Sequence, residues 1–331
     1  MHSFSITTAA DVDDAVRLHA TEHGLAFIAG GTDLVGLMKD RASRPAQLLD
    51  INRLPGMSGI VLLADGGVRI GALARMSEVA AHPEIRRRMP VVAEGLLFAA
   101  SGQLRNMASM GGNILQRTRC SYFRDGDGPP CNKRVPGSGC SARHGINRHH
   151  AIFGWSEGCV ATHPSDVAVA LVALDAVVHV RGRDGERAIP FADFHRLPGE
   201  ASAADTVLGP GDLVVAIEVP ARAEASASHY LKLRDRQSYE FALVSVAAGV
   251  VIEGGRIRSA RLAMGGVAHK PWRLPAAETN LEGVELTDVK ALENAIAADF
   301  ADARPLSDNG FKVELGKRAV LRAVQVAGSR A

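Results

Sequence analysis

All four cysteines of this 331-residue chain, Cys120, Cys131, Cys140 and Cys159, fall within one stretch of 40 residues, spaced Cys-x10-Cys-x8-Cys-x18-Cys. Sulfur donors gathered this way can ligate a thiophilic metal or pair as disulfides. The stretch, RTRCSYFRDGDGPPCNKRVPGSGCSARHGINRHHAIFGWSEGC, is rich in Gly, Pro, Arg and His and has no sustained period of 2 or 3.6. Such a segment cannot bury enough surface to offset its ordering entropy, so something must hold it, and four thiols point to a metal centre. The close Cys-x2-4-Cys knuckles of zinc ribbons and the common ferredoxin run are both absent, so the spacing alone does not name the metal. Disulfides would need an oxidising compartment. The N-terminus, MHSFSITTAADVDDAV, has neither a basic n-region nor an apolar h-region, so no export signal of the chain's own is expected.

Two glycine turns could hold a phosphate. Ile28-Ala29-Gly30-Gly31-Thr32-Asp33-Leu34 follows a strand-like run, and Ser109-Met110-Gly111-Gly112-Asn113-Ile114 reads as a second strand-adjacent turn. Glycine lets backbone N–H groups approach an anion closely, yet neither turn has the GxGxxG or GK[ST] spacing, and each alone could be a plain tight turn. Together they suit an extended pyrophosphate lying between two lobes. Asp166 could accept a hydrogen bond from such a ligand, or Ser165 and Asp166 could simply cap the helix that follows.

Hydrophobic residues are 47% and charged residues 22% of the chain, enough for two ordinary cores. The net charge of +2, with no basic run, sets nucleic acid aside, and no apolar run approaches the ~20 residues of a membrane span. The elements expected to carry the motifs begin with a β-α-β unit: strand 4–6, helix 11–23 ending at Gly24, strand 26–29, then strand 48–51. A second lobe has strands 60–63 and 68–71 and helices 76–81, 91–100 and 166–174, the last followed by strand 177–181. The composition turns small and polar at 220–228, a linker, beyond which strands 230–233, 243–252 and 257–264 and helices 288–299 and 311–326 form a sheet covered by helices.

The runs FIAGGTDLVGLMK, ASGQLRNMASMGGNI, THPSDVAVALVALDA, LVVAIEVP and YLKLRDRQSYEFALVSVAA resemble, in order and spacing, the FAD-binding medium subunit of the xanthine dehydrogenase and molybdenum hydroxylase family. The resemblance covers nearly the whole chain. It implies an α+β fold: a two-lobed vanillyl-alcohol-oxidase-like (PCMH-type) FAD domain over 1–222, with lobes 1–56 and 57–222, then a CO dehydrogenase flavoprotein-like α+β domain over 223–331. Carried over by position, Phe27, Ala29, Gly30, Gly31, Thr32 and Asp33 contact FAD on one side and Ser109, Gly111, Gly112 and Asn113 on the other. Asp166 matches a residue that contacts the flavin nucleotide, Val214 one near the isoalloxazine, and Lys232 a basic residue by the ring, though an exposed strand lysine would read the same. Ala99 and Ala100 stand where a bulkier aromatic can occur.

Within that family, the FAD subunit of periplasmic aldehyde oxidoreductase carries a similar insertion and binds a 4Fe-4S cluster there. The resemblance therefore implies that loop 115–161 holds such a cluster on Cys120, Cys131, Cys140 and Cys159. Arg119, Arg124, Lys133, Arg134, Arg143 and Arg148 would offset its charge or meet a partner, and His149 and His150 would stand outside the ligand set. The chain has no further cysteines for 2Fe-2S clusters, so the resemblance implies an oxidoreductase subunit of a heterotrimer. A small 2Fe-2S subunit and a large molybdenum subunit would be its partners, with electrons collected here and passed to an external acceptor. No general acid or base for the substrate chemistry is expected on this chain. Export would be to the periplasm with a signal-bearing partner; a cytoplasmic home is the alternative. Other readings are a zinc-stabilised adaptor, a hydroxybenzoyl-CoA reductase-like flavoprotein subunit and a free-standing flavoprotein oxidase.

Overall fold

The computed structural model describes residues 1–199 and 202–331. The first lobe is a parallel sheet of β1 (Ser5–Thr8), β2 (Leu25–Ile28) and β3 (Gln47–Asp50), in the order β1-β3-β2. Parallel pairing needs a crossover, and helix Val12–Thr21 supplies it. Asp11 caps that helix by accepting from the Asp14 amide at 2.8 Å, and Gly24, at φ +78°, turns the chain back into β2. Central β3 buries Leu48 and Leu49 on opposite faces, which fixes its register.

The second lobe is an antiparallel sheet of β4 (Ile60–Leu62), β5 (Val68–Gly71), β6 (Val177–Gly182), β7 (Gly185–Pro190) and β8 (Leu213–Val219), ordered β4-β5-β8-β6-β7. Helices Pro90–Phe98 and Asp166–Ala173 pack together, and the second is buried on all sides. That explains its unbroken apolar run, DVAVALVA.

The third sheet is antiparallel, with β9 (Ser228–Leu233), β10 (Val244–Glu253), β11 (Arg256–Gly265) and β12 (Trp272–Arg273) in the order β12-β11-β10-β9. Helix Phe311–Gly328 covers β10 on one side and helix Asp166–Ala173 packs on the other, so Val244 to Val250 are buried without alternation. The segment expected as a linker is a packed turn: Ala223–Ala225 is a short 3-10 helix with Glu224 and Ala225 buried. No helix among the described residues is long and apolar enough to cross a membrane.

The cysteine-bearing segment is held by more than its thiols. Ile152 and Phe153 enter the core of the third sheet, where Phe153 stacks on Trp272 at 5.2 Å and meets Phe300 edge-on at 5.7 Å. The amides of Ile152 and Phe153 both donate to the Val267 carbonyl, at 2.9 and 3.0 Å. The inference that only a metal could order this segment is thus corrected: two buried side chains and a backbone seam anchor its second half.

Candidate functional site

A cavity of about 470 Å³ lies between the glycine turns, within the size range of small-molecule and cofactor sites. Phe27, Ala29, Gly30, Gly31, Thr32, Asp33, Ala100, Ser109, Gly111, Gly112, Asn113, Asp166, Val214 and Lys232 all line it. So do Met76 and Leu104, which carry no sequence signal beyond being apolar, and Tyr239, whose φ of +54° is left-handed for a non-glycine residue.

The first turn is built for close approach. At Gly30 a Cβ would stand 1.9 Å from the Met107 carbonyl oxygen, so main chain from the two lobes meets there with no space for a side chain. Gly31, at φ +68°, bends the chain so that the Gly31, Thr32 and Asp33 amides precede helix Leu34–Lys39 with no acceptor found among the described residues. Unpaired N–H groups on a cavity wall suit an anion. The second motif differs from the strand-adjacent turn expected. Gly111 and Gly112 lie inside helix Met110–Ile114, whose five residues are too few to show a period. Its amides are already engaged, Gly111 with the Ala72 carbonyl at 2.8 Å and Gly112 with Ser109 Oγ at 3.2 Å. This side can therefore offer shape and the Ser109 and Asn113 side chains, but not free amides.

These two glycines predict opposite outcomes. Gly30→Ala drives a methyl into fixed main chain and should cost about 3 kcal/mol, read by denaturant unfolding. Gly112→Ala meets only Ser109 Oγ, at 3.0 Å, and should stay within about 1 kcal/mol of the parent.

Asp33 joins the two sites. Its backbone lines the cavity, but its carboxylate turns away and accepts from Arg119 at 2.8 Å, Arg124 at 2.7 Å and the Arg117 amide at 3.0 Å. The basic residues expected to offset a cluster or to meet a partner are also paired within the chain. Lys133 binds Asp205, Arg143 binds Glu157, Arg148 binds Asp235 at 2.8 Å, and Arg134 donates to the Gly128 and Pro129 carbonyls. Lys133 and Arg148 thereby tie the segment to the rest of the fold, while Arg134 and Arg143 brace it internally.

On the opposite wall, Ser165 caps helix Asp166–Ala173 and donates to Asn113 Oδ1 at 2.5 Å, which frees Asp166 from capping. Asp166 accepts from Tyr230 Oη at 2.6 Å and from Lys232 Nζ at 2.8 Å; Lys232 also donates to the Phe98 carbonyl at 3.1 Å. The Lys232 side chain is 1% exposed, which removes the reading of a solvated strand lysine. Burial pushes the Asp166 carboxyl up, against the ammonium of Lys232. The result is a fixed charge pair on the cavity wall, satisfied at every oxygen.

The four cysteines, 40 residues from first to last, line one small cavity with Phe123 and Ala142. A β-bridge sets Cys131 opposite Cys140, and a bridge from Ser156 to Cys159 closes the last turn. None of the four is disulfide-bonded, and Cys140 and Cys159 lie close enough to act on each other, which pushes Cys140 down and Cys159 up. Burial pushes Cys120 up to about 11. Four soft donors line this hollow, though among the described residues no three His, Cys, Asp or Glu side chains are gathered as a metal site. Arg119 lines the large cavity and Cys120 the small one, so the two sites are adjacent in the chain and in space.

Residues 2–222 match the FAD binding domain in molybdopterin dehydrogenase, and residues 229–326 match the CO dehydrogenase flavoprotein C-terminal domain. The chain is 47% identical over 310 residues, 93% of each protein, to the aldehyde oxidoreductase FAD-binding subunit PaoB of Escherichia coli K12. It is 27% identical to the glyceraldehyde dehydrogenase medium chain of Sulfolobus acidocaldarius, over 92% of this chain and 90% of that one. Among solved structures, carbon monoxide dehydrogenase from Hydrogenophaga pseudoflava superposes with a TM-score of 0.76 at 26% identity, covering 100% of this chain and 99% of that one. The reconstituted CO dehydrogenase from Oligotropha carboxidovorans, at TM-score 0.77 and 22% identity over 100% of this chain and 99% of that one, shares the fold. By both domain matches and by its identity to the PaoB subunit, the chain belongs to the FAD-binding medium subunits of the molybdenum hydroxylase family.

Proposed function

We propose that this chain is the electron-transferring FAD subunit of a molybdenum-dependent aldehyde oxidoreductase, and that Cys120, Cys131, Cys140 and Cys159 hold a 4Fe-4S cluster. The observation that carries the reading is the adjacency of two sites: a cavity walled by every predicted flavin-contact residue, and a four-thiol hollow reached in one residue from its wall. When bound, FAD supplies a centre that exchanges electrons singly or in pairs, and a 4Fe-4S cluster one that exchanges them singly. The chain's residues do the holding. Unpaired amides of Gly31 to Asp33 receive the phosphates, Lys232 keeps a cation on the wall, and Asp166 and Tyr230 keep that cation in place. The similarity to a relative named as an aldehyde oxidoreductase subunit supports aldehydes as the substrate class of the assembly. A 2Fe-2S subunit and a molybdenum subunit complete it as a heterotrimer, and it reaches the periplasm with a signal-bearing partner.

The test is to add an aldehyde to the chain alone and to the co-purified complex while following the flavin absorbance. Bleaching only in the complex supports the proposal; turnover by the chain alone would make it a free-standing oxidase. Cys140→Ser gives a separate check by iron and flavin analysis. Iron should fall from about four per chain to near zero while flavin is retained, because no cysteine lines the flavin cavity.

A further inference from the structure

Among the described residues, one side-chain N–H lies within hydrogen-bond reach of a thiol of the four-cysteine site. His150 Nε2 is 3.1 Å from Cys120 Sγ. The residue is 5% exposed, while its neighbour His149 faces solvent. The position of His150 is fixed from behind. Its carbonyl accepts from Lys312 Nζ at 2.9 Å and from Asn309 Nδ2 at 3.1 Å, both contributed by the C-terminal part of the chain. Its amide donates to the Asn147 carbonyl at 2.9 Å, closing the turn that aims the ring at Cys120. Lys312 is itself buried and also donates to the Gly266 carbonyl at 2.8 Å, so the clamp spans from the cysteine segment to β11 and helix Phe311–Gly328.

We infer that His150 is a positioning residue that donates its Nε2–H to the Cys120 sulfur and thereby raises the reduction potential of the centre held there. The inference rests on the cluster reading above. A metal-bound thiolate carries no proton and can only accept, so the ring must present N–H to it. Nε2 is the ring nitrogen that faces the sulfur, and Nδ1 is buried on the other side of the ring without a hydrogen bond of good geometry among the described residues. A donor on a ligating sulfur withdraws charge and favours the more negative, reduced state.

The test is an EPR-monitored redox titration of the purified, iron-loaded complex carrying His150→Leu or His150→Gln. His150→Leu should shift the reduction equilibrium about tenfold toward the oxidised form, a midpoint lower by about 59 mV for one electron. His150→Gln, which retains an N–H donor, should recover most of that. Four irons and an unchanged midpoint in His150→Leu would overturn the inference. Should His150→Leu fail to load iron, hyperfine spectroscopy of the reduced wild-type complex labelled with 15N-histidine decides: a coupled histidine nitrogen supports the donor, and its absence refutes it. A wild-type complex without iron overturns the cluster reading itself, and this inference with it.

Discussion

Lys232→Met is expected to destabilise the protein by about 3–5 kcal/mol, the cost of leaving a buried carboxylate without its cation. Asp166 is 5% exposed and is paired with an ammonium 1% exposed; without it, the Tyr230 hydroxyl, the N-terminus of its own helix and the more distant Arg234 guanidinium remain to offset the charge. The pair also joins two domains. Asp166 stands on a helix of the FAD-binding part, and Lys232 on β9 of the C-terminal sheet. Breaking it should loosen the cavity wall, so flavin content of the purified protein should fall together with the denaturation midpoint. Removing both charges should be milder than removing one, because an apolar pair leaves no orphaned group. The double variant Asp166→Leu/Lys232→Met is therefore expected to unfold later than Lys232→Met. Additive losses would show that the two side chains act independently.

Acid should unfold this protein steeply, and the cause is a set of buried imidazoles. His163, His195 and His269 are all at most 9% exposed. His195 Nε2 lies 2.8 Å from the Ile114 carbonyl, with the His163 ring 4.3 Å away, and neither nitrogen of His269 has a partner among the described residues. Burial lowers His195 to about 4 and His269 to about 3, and pushes His163 well down. In the unfolded chain each would titrate near 6.5. Between that value and about 4 the unfolded state binds more protons, so stability is complete above pH 6.5 and is lost as pH falls. Each group contributes about 1.4 kcal/mol per pH unit, and the three together about 4 kcal/mol per unit near pH 5. Asp205 extends the loss downward. Against its desolvation, Lys133 and Arg117 hold it at about 2, so its contribution disappears as pH falls from the ordinary carboxylate range through that value. Thermal unfolding from pH 7 to 4.5 checks this, with His269→Leu expected to reduce the slope by about 1.4 kcal/mol per unit. A midpoint that stays flat from pH 7 to 5 would contradict it.

What could be read in the sequence was local. The Ala29 to Asp33 turn announces itself because two glycines follow a strand, and Asp11 and Gly24 bracket a helix by cap chemistry that needs no tertiary context. The cavity residues from Asp166, Val214 and Lys232 came through family resemblance. Their positions are far apart in the chain and meet only through tertiary packing: helix Asp166–Ala173 packs on β10, which pairs with the strand carrying Lys232, while Val214 stands on β8. Gly111 and Gly112 misled as a turn because a helix of five residues shows no period, and its cap, Ser109, reads equally as a turn hydroxyl. The spacing of the four cysteines did not reveal that they share one hollow. Nor did the isolated pair Ile152-Phe153 show that it would be buried under Trp272, since two apolar residues in a polar loop look like surface. Asp33 carried a further surprise: its place in the glycine motif suggested a ligand contact, while its carboxylate serves Arg119 and Arg124.

The most direct measurement is iron and flavin analysis of the purified complex together with its visible spectrum. Once the iron and flavin of partner subunits are subtracted, this chain should carry about one FAD and four irons, with flavin bands over a broad iron-sulfur shoulder. A colourless chain, or one carrying a single zinc in place of iron, would contradict the account.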